Sequence, residues 1–252
     1  MKKIILMMIA MVVVLTGCAN STDPSDAYKD ETPTQIYARG KALLLDKSYN
    51  EATKRFEALD VQYPFDKETE KAQLYLIYTY YMKEEYSLSV SAADRYIRIH
   101  PTSPDVDYAY YMRGISDYYQ DMGILERIFA IDLAKRDLTQ IQKSYTDFAE
   151  LTTRFPDSRY AASAHQYQIF LRNVLADHEL HIAQYYYDRK AYVASANRAA
   201  DIVAHYQGAP QVMPALDLLA KSYQQLGMRK MAQDTRAVLQ YNAGSNSAYM
   251  PD

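Results

Sequence analysis

The chain has 252 residues, of which 49% are hydrophobic and 23% are charged, and its formal net charge is -3. This near-neutral balance is typical of a folded protein and argues against nucleic acid as a partner. With only 7 glycines and 9 prolines there is little turn-forming material for a many-stranded sheet, so the composition favours an all-α fold. The 26 tyrosines supply rings both for packing between helices and for contact surfaces.

The N-terminus carries the pattern of a secretory signal. Lys2 and Lys3 precede an apolar run over residues 4–15, which is shorter than the roughly 20 residues that a membrane-spanning helix needs. A short apolar run after a basic start is typical of a signal peptide. We therefore predict that residues 1–17 are removed from the mature protein.

The end of that apolar run resembles the lipobox of bacterial lipoproteins. It reads Leu15-Thr16-Gly17-Cys18, and Cys18 is the only cysteine of the chain. The resemblance implies that the Cys18 thiol receives diacylglycerol and that its amine is acylated after cleavage; no cofactor other than this covalent lipid is expected. Ala19 stands where lipoproteins kept in the inner membrane usually carry Asp, which implies sorting to the periplasmic face of the outer membrane. The alternative is a plain secretory signal that happens to contain a cysteine.

Residues 18–33 are predicted to form a lipidated, flexible tether. From Asn20 to Thr32 the sequence is polar and has no apolar period, so it cannot bury enough apolar surface to fold by itself. Stable membrane anchoring needs more than one hydrophobic chain, and several acyl chains on one residue meet that need. We expect a folded domain over residues 34–241 that is tied to the membrane through its N-terminus.

The folded part begins with a helix-turn-helix repeat from Pro33 to Pro64. If Pro33 is the first position of a 34-residue tetratricopeptide unit, Gly40, Ala52, Phe56 and Pro64 occupy positions 8, 20, 24 and 32. Small residues at positions 8 and 20 let two helices approach closely, Phe56 fills the groove between them, and Pro64 ends the second helix because it has no amide donor. One such hairpin cannot bury its own apolar face, so further repeats are predicted.

The next two repeats follow with looser spacing. The second covers about residues 70–101 and has Ile77 and Ser89 at the small-residue positions. The third opens with a helix over residues 107–119 that has Gly114 at position 8.

An insertion separates the two helices of the third repeat. The second helix cannot begin before about Asp137 if Phe155-Pro156 ends it, so Gln120 to Arg136 lie between the helices. The insertion contains several apolar residues. It either folds back on the repeats or forms an exposed contact loop.

The rest of the chain is also predicted to be helical. Ser158 is expected to cap a long helix that runs to about Tyr187 and is broken or bent near residues 173–177. Further helices are predicted over residues 191–206, 212–226 and 228–241. From Asn242 the sequence has no period, so residues 242–252 are predicted to be a disordered tail. The predicted fold is all-α, a tetratricopeptide-repeat superhelix (solenoid) of about five helix pairs.

A groove lined by tyrosines is predicted on the first helices of the early repeats, because certain positions on these helices face the concave side of such a solenoid. The candidates for a substrate-peptide groove are Tyr37, Lys41, Tyr78, Tyr81, Tyr108 and Tyr111. Tyrosines suit an extended peptide with aromatic side chains, since each ring gives contact area at low entropic cost. The alternative is that these rings only pack helix against helix.

The sequence contains none of the common catalytic patterns. It has no Gly-rich phosphate loop, no nucleophile elbow and no paired-cysteine metal spacing. His178 and His181 are three residues apart, whereas the zinc-protease helix places its histidines four apart. We therefore predict no metal site and no enzymatic activity, with a metal-dependent envelope enzyme using this histidine pair as the alternative.

Several segments, in order along the chain, resemble the BamD family of outer-membrane lipoproteins. They are Leu59-x-x-x-Tyr63-Pro64-Phe65, Ile77-Tyr78-x-Tyr80-Tyr81, Arg95-Tyr96-Ile97-Arg98, Asp107-Tyr108-x-x-Tyr111-Met112-Arg113-Gly114, Ala183-x-Tyr185-Tyr186, Arg189-x-Ala191-Tyr192-x-Ala194 and Asn197-Arg198. The resemblance runs from the lipobox to about Tyr241. Asp66 departs from it, because many members have Gly there.

The resemblance implies a non-enzymatic scaffold of the outer-membrane β-barrel assembly machinery. Its C-terminal repeats are expected to grip the last periplasmic POTRA domain of BamA, with Asn197 and Arg198 at the interface. Its N-terminal repeats are expected to receive the C-terminal aromatic signal of unfolded outer-membrane β-barrel proteins. They are also expected to contact BamC and other assembly-machinery lipoproteins where these are present. The alternative is another repeat lipoprotein that organises cell-wall or envelope complexes.

The repeat pattern also places Arg198 away from the packed face of its helix. Ser195 and Ala199 take packing positions 20 and 24 of their helix, so Arg198 should project from a helix whose inner face is already filled. A guanidinium there can make a forked bond to a carboxylate of a partner. The alternative is a local role at the end of its own helix, through the helix dipole or a contact with Asp201.

Overall fold

The structure, a computed structural model, describes residues 23–120 and 137–245. Within these residues all regular secondary structure is helical. The helices are α1 (Pro33–Leu45), α2 (Tyr49–Gln62), α3 (Lys67–Met82), α4 (Tyr86–Ile99), α5 (Val106–Gln120), α6 (Thr139–Arg154), α7 (Ala161–Asp188), α8 (Tyr192–His205), α9 (Val212–Gln225) and α10 (Arg229–Ser245). The prediction of an all-α repeat fold with about five helix pairs is confirmed. Cys18, the predicted lipidation site, lies outside the described residues, as does the insertion after Gln120.

The helices divide between two compact units. The first ends at Thr79 and the second begins at Tyr80, a boundary that falls inside α3. In the first unit α1 packs against α2, and in the second unit each helix from α4 to α10 packs against the next. In addition α7 contacts α9, two helices along the chain. Contact between sequence neighbours is the pattern of a repeat protein, in which each hairpin covers the apolar face of the one before.

Two hairpins are closed by a phenylalanine against a glycine. A Cβ placed on Gly40 would lie 2.7 Å from the ring of Phe56, and one on Gly114 would lie 2.9 Å from the ring of Phe148. Both rings are fully buried. The predicted close approach at Gly40 is confirmed, and Gly114 makes the same approach in the third repeat because glycine alone leaves room for the ring.

Four turns within helix pairs share one backbone conformation. Lys47, Glu84, Lys190 and Gly227 each have φ between 60° and 74°, in the left-handed region. Each lies two residues before the second helix of its pair. The amide that follows each of them donates to a carbonyl five residues earlier, as Ser48 does to Leu43. This is the Schellman ending, which reverses the chain tightly enough for the two helices to pack.

The segment before α1 is bound to the first hairpin, contrary to the prediction of a flexible tether. Residues 23–32 form turns. The side-chain amide of Gln62, at the end of α2, donates to the carbonyl of Pro24 over 2.6 Å and also to that of Ala27. The guanidinium of Arg55 lies 4.1 Å from the ring centroid of Tyr28. The prediction failed because these contacts use backbone carbonyls and single side chains, which produce no apolar period.

The start of α7 differs from its prediction. Ser158 does not cap the helix, which begins at Ala161 after Tyr160. Its hydroxyl instead donates to Asp107 Oδ2 over 2.6 Å and accepts from the Tyr160 amide over 3.0 Å. The amide that the Ser158 hydroxyl accepts from is that of Tyr160, one residue before α7 begins, so the hydroxyl closes the preceding turn rather than the helix.

The middle and the end of the C-terminal part differ as well. The helix α7 runs through residues 173–177 without a break, because Leu175 and Ala176 remain buried there and keep the helix packed. The last helix continues to Ser245, beyond the predicted end at Tyr241. The remaining residues of the predicted tail lie outside the described part of the chain.

Candidate functional site

Ten aromatic side chains of the second unit form one connected series of ring contacts, here named the aromatic ladder. Neighbouring ring centroids lie 4.9–6.0 Å apart, within the range of favourable aromatic contacts. Its members are Tyr81, Tyr86, Tyr108, Tyr111, Tyr118, Tyr119, Phe148, Tyr160, Tyr167 and Phe170.

The third repeat provides the frame of the ladder. Four of its rings come from α5, where Tyr108 and Tyr111 are three residues apart and therefore lie on neighbouring positions of one helix face. Phe148, on α6, lies beneath them and is fully buried. Tyr167, on α7, stacks on Phe148 with ring planes inclined by 11°. The glycine contact at Gly114 thus fixes the ring on which the ladder rests.

Tyr111, one of the predicted groove residues, is held in place by two ring contacts and a hydrogen bond. It stacks on Tyr160 with ring centroids 5.0 Å apart and planes inclined by 19°. Its hydroxyl lies 3.1 Å from Ser163 Oγ, and Phe148 packs at 6.0 Å. Three contacts from α6 and α7 therefore hold this side chain in place before any ligand arrives, which lowers the entropic cost of binding.

The predicted groove residues divide between the two units. Tyr81, Tyr108 and Tyr111 belong to the aromatic ladder, whereas Tyr37, Lys41 and Tyr78 lie in the first unit. In the first unit Tyr37 contacts Tyr75 with centroids 6.0 Å apart, Tyr78 is half-buried and Lys41 is exposed. The structure thus brings three of the predicted residues into one continuous surface.

The ladder combines the two roles that the sequence left open. Its tyrosines are half-buried, so each ring packs against neighbours and still presents part of its surface to solvent. Phe170 is 42% exposed at one end. Helix packing therefore accounts for the positions of these rings, and part of each ring remains exposed for contact with a ligand.

Burial disfavours ionisation of three tyrosine hydroxyls of the ladder. Burial raises the pKa of Tyr118, Tyr160 and Tyr167 above the ordinary value for tyrosine. Nearby tyrosines raise the pKa of Tyr118 and Tyr167 further. Neutral hydroxyls can both donate to and accept from a peptide backbone, so the ladder offers apolar faces together with polar edges.

Sequence reasoning missed most of the ladder. It did not assign Tyr160 or Tyr167 to the groove, because both follow the insertion, where the repeat register was not established. Tyr86 and Tyr119 were missed because they lie outside the expected groove positions. A signal was present: Tyr167 and Phe170 are three residues apart, the spacing of neighbours on one helix face.

The second candidate surface is α8, where Asn197 and Arg198 are exposed. Ser195 and Ala199 are fully buried, as the repeat pattern predicted. The inner face of α8 packs in a cluster with Ala183 of α7 and with α9. Arg198 therefore projects from a helix that packs against both α7 and α9.

Arg198 is paired within the chain. Its Nη1 lies 2.9 Å from Oε2 of Glu179 on α7, with the Arg198 side chain 44% exposed and the Glu179 side chain 20% exposed. The contact that sequence reasoning weighed was with Asp201, but the structure pairs Arg198 with the preceding helix. Arg198 and Glu179 are 19 residues apart and lie on different helices. Residue spacing within one helix cannot predict such a pair, so the partner was missed.

A third feature is a buried arginine that ties three helices together. Arg113 on α5 donates from Nη1 to Asp94 over 3.0 Å, and its Nη2 lies 2.9 Å from Asp147 and 2.8 Å from Glu150. A cavity of about 650 Å³ adjoins this cluster. Burial, together with the neighbouring carboxyl of Asp117, raises the pKa of Asp147 to about 8 despite the arginine. No pattern in the sequence indicated this cluster.

No metal site emerges from the part of the chain that the structure describes. Among those residues no group of three or more His, Cys, Asp or Glu side chains lies close enough to hold a metal ion. His181 Nδ1 lies 3.7 Å from Asp177 one turn earlier on α7. None of the described helices is both long and apolar enough to cross a membrane.

Comparison with known proteins gives consistent matches along almost the whole chain. The model of the YfiO family, described as outer membrane lipoprotein, matches residues 29–239. The outer membrane protein assembly factor BamD of Neisseria meningitidis serogroup A is 36% identical over 245 residues, which cover 96% of this chain and 91% of that protein. BamD of Vibrio cholerae is 32% identical over 229 residues, covering 91% and 94% respectively.

Solved structures give a more distant similarity. A Podosopora anserina chain with nearly identical TPR-like repeats is 13% identical, with a TM-score of 0.41, and the match covers 86% of this chain and 99% of that one.

Proposed function

Since this chain belongs to the YfiO family of outer membrane lipoproteins, we propose that it is a non-enzymatic scaffold for the assembly of outer-membrane β-barrel proteins. The observation that carries the proposal is the family match over residues 29–239, together with relatives of nearly equal length that are named outer membrane protein assembly factor BamD. The alternative of an envelope enzyme gains no support from the geometry of the histidine pair, since His181 Nδ1 lies 3.7 Å from Asp177 Oδ2 and the described residues contain no cluster that could hold a metal ion.

The proposed anchor is a lipid on Cys18. The lipobox-like sequence ends at this residue, which is the only thiol of the chain. Diacylglycerol on sulfur and an acyl chain on the amine together provide the several hydrophobic chains that stable attachment requires. The protein would then work at the periplasmic face of the outer membrane.

The proposed substrate surface is the aromatic ladder. Unfolded β-barrel proteins end in an aromatic signal, and an extended peptide of that kind can lay its rings on half-buried tyrosines. Tyr111 is held by Tyr160 and Ser163 before binding, so little side-chain freedom is lost on contact. In the first unit Tyr37, Lys41 and Tyr78 remain candidates for contacts with the same class of ligand.

The proposed BamA surface is the exposed face of α8. Asn197 and Arg198 project there from a buried inner face, and a carboxylate of the last POTRA domain is the natural partner for the guanidinium. In the free chain Arg198 is paired with Glu179. Binding to BamA would therefore replace the Glu179 carboxylate with a carboxylate of the POTRA domain. BamC and other lipoproteins of the machinery are further proposed partners of the N-terminal repeats.

Purification of the native complex tests this proposal. A tag placed after Asp252 leaves both the lipid anchor and α10 intact. From membranes solubilised in mild detergent, we expect the tagged protein to bring down BamA in near-stoichiometric amount, identified by mass. Recovery of cell-wall or other envelope complexes without BamA would instead favour a different repeat lipoprotein scaffold and would contradict the proposal.

A further inference from the structure

One apolar side chain of the first unit is completely exposed at a fixed position. Phe65 lies in the turn between α2 and α3, and its exposed fraction is 100%. The turn is not loose: the carbonyl of Tyr63 accepts from the Asp66 amide over 3.0 Å and from the Thr69 hydroxyl over 2.6 Å. Single exposed apolar residues are common on protein surfaces, but a phenylalanine held wholly outside the fold by an ordered turn is placed to meet something else.

The N-terminal segment is fastened beside this turn. Gln62, three residues before Phe65, donates to the carbonyls of Pro24 and Ala27. A fully extended chain advances at most about 3.6 Å per residue, so the Cα atoms of Gln62 and Phe65 lie within roughly 11 Å of each other. The point where the N-terminal segment joins the fold is therefore next to the exposed ring.

A buried ion pair secures the other end of the same segment. Glu31 Oε2 lies 2.8 Å from Nη1 of Arg55, and both side chains are largely shielded, at 16% and 14% exposed. The other oxygen of Glu31 pairs with Arg39 at 2.6 Å. Because the segment is held at Glu31 as well as at Gln62, its path along α2 is defined.

The anchor therefore joins the fold at the end of α2 that carries Phe65. Five peptide units link Cys18 to Asp23, the first described residue, and they span at most about 18 Å in any conformation. We propose that the Phe65 turn rests on the membrane and places its ring in the phospholipid interface, which fixes the orientation of the first unit. This proposal rests on the proposed lipid anchor at Cys18.

Apolar contact, rather than charge, is what the turn offers to the bilayer. Asp66, Glu68 and Glu70 nearly balance Lys67 and Lys71 in the sequence that follows Phe65. Val61, on the last turn of α2, adds a second exposed apolar side chain, at 54%. A zwitterionic phospholipid surface is therefore the expected partner, with the ring in the boundary between headgroups and acyl chains, where aromatic side chains are favoured.

The first hairpin supplies a matched control. Leu45 is also strongly exposed, at 74%, but it ends α1 at the opposite end of the hairpin from Gln62. The 14 residues of α2 make that helix about 21 Å long. If the Phe65 end faces the membrane, the Leu45 end does not.

The chain is suited to a direct fluorescence test because it has no tryptophan and a single cysteine. The mature chain from Cys18 is coupled through its thiol to a maleimide phospholipid in phosphatidylcholine vesicles whose acyl chains carry bromine near the headgroup. Two variants are compared, Phe65→Trp and Leu45→Trp. Chemical coupling makes this test independent of whether the cell lipidates Cys18, so failure here is distinct from failure of the proposed function.

We expect Phe65→Trp to emit at shorter wavelength on the vesicles and to lose roughly half or more of its emission to brominated lipid, as a ring in the interfacial region does. Leu45→Trp should keep the emission it has in solution. Adding Gln62→Ala to Phe65→Trp should reduce the quenching, since the segment is then no longer fastened beside the turn. Equal quenching at both positions, or none at Phe65→Trp in vesicle-bound chains with an unchanged melting temperature, would overturn the proposal.

Discussion

Arg198 and Glu179 form an ion pair between α8 and α7, with Nη1 and Oε2 2.9 Å apart. The pair lies on the surface proposed for BamA, and the Arg198 side chain is 44% exposed. An exposed pair of this kind contributes about 0–1 kcal/mol to stability. Its position therefore points to a function in binding rather than in holding the fold.

We predict that Arg198→Ala leaves the melting temperature almost unchanged and weakens binding of the BamA periplasmic region. Truncating one side of a desolvated charge pair costs about 2–5 kcal/mol, whereas a pair at the rim of an interface costs about 0–1 kcal/mol. Titration calorimetry with both chains measures the difference. Glu179→Gln is the matched control, because it frees Arg198 and should preserve or strengthen binding. Affinity within about threefold of wild type in Arg198→Ala, which is less than 1 kcal/mol, would remove Arg198 from the interface.

The contact of Gly114 with Phe148 leads to a second prediction. Gly114→Ala puts a Cβ within 3.1 Å of three ring atoms, and the ring cannot move freely because it stacks on Tyr167. Overpacking of this kind costs about 1–3 kcal/mol, measurable by urea or thermal unfolding. Gly244→Ala is the control, since no atom lies within 4 Å of its added Cβ. Equal stability of the two variants would show that the hairpin can relax around the methyl group.

The aromatic ladder gives a third prediction. Tyr111→Ala should weaken binding of a peptide that carries the C-terminal aromatic signal of a β-barrel protein, by about 2 kcal/mol or more if the ring is a contact anchor. Tyr111→Phe should bind nearly as well as wild type, because it keeps the ring. Tyr185→Ala removes an exposed tyrosine outside the ladder and should have no effect. Unchanged affinity in a destabilised Tyr111→Ala would mean that the ladder only packs helices.

The Arg113 cluster predicts a pH dependence of stability. Because burial raises the pKa of Asp147 to about 8, above that of an unfolded carboxyl near 4, the folded state binds the extra proton between these values. This contribution to stability is present in full at low pH and is lost as the pH rises through about 8. Asp147→Asn should flatten the decline in melting temperature between about pH 4 and about pH 8, the unfolded and folded pKa values, measured in matched buffers. An equally steep decline in the variant would exclude Asp147 as its source.

A fifth prediction concerns the anchor, which lies outside the described residues. Cys18→Ala should leave the helical fold and its melting temperature intact but release the protein from membranes, because no other acylation site of this kind exists in the chain. Flotation of outer-membrane vesicles after a salt wash separates the two outcomes. Persistent flotation of the variant would show that the lipobox interpretation is wrong.

The sequence predicted the helices far better than it predicted their partners. The repeat expected from Pro33 to Pro64 holds two helices, and the second ends at Gln62, because a small residue, a phenylalanine and a proline stand at fixed repeat positions. The pairing of Arg198 with Glu179 could not be predicted, since it depends on the angle between two helices. The ordered segment before α1 was missed for a related reason: Gln62 recognises backbone carbonyls, which every sequence carries.

Depletion in the native bacterium tests whether this protein has a role in outer-membrane protein assembly. The measured quantity is the amount of folded β-barrel protein in the outer membrane, read from its heat-modifiable mobility on gels. We predict that depletion lowers this amount, that the wild-type chain restores it, and that Arg198→Ala restores it only in part. Normal levels of folded β-barrel protein after complete depletion would contradict a role in outer-membrane protein assembly.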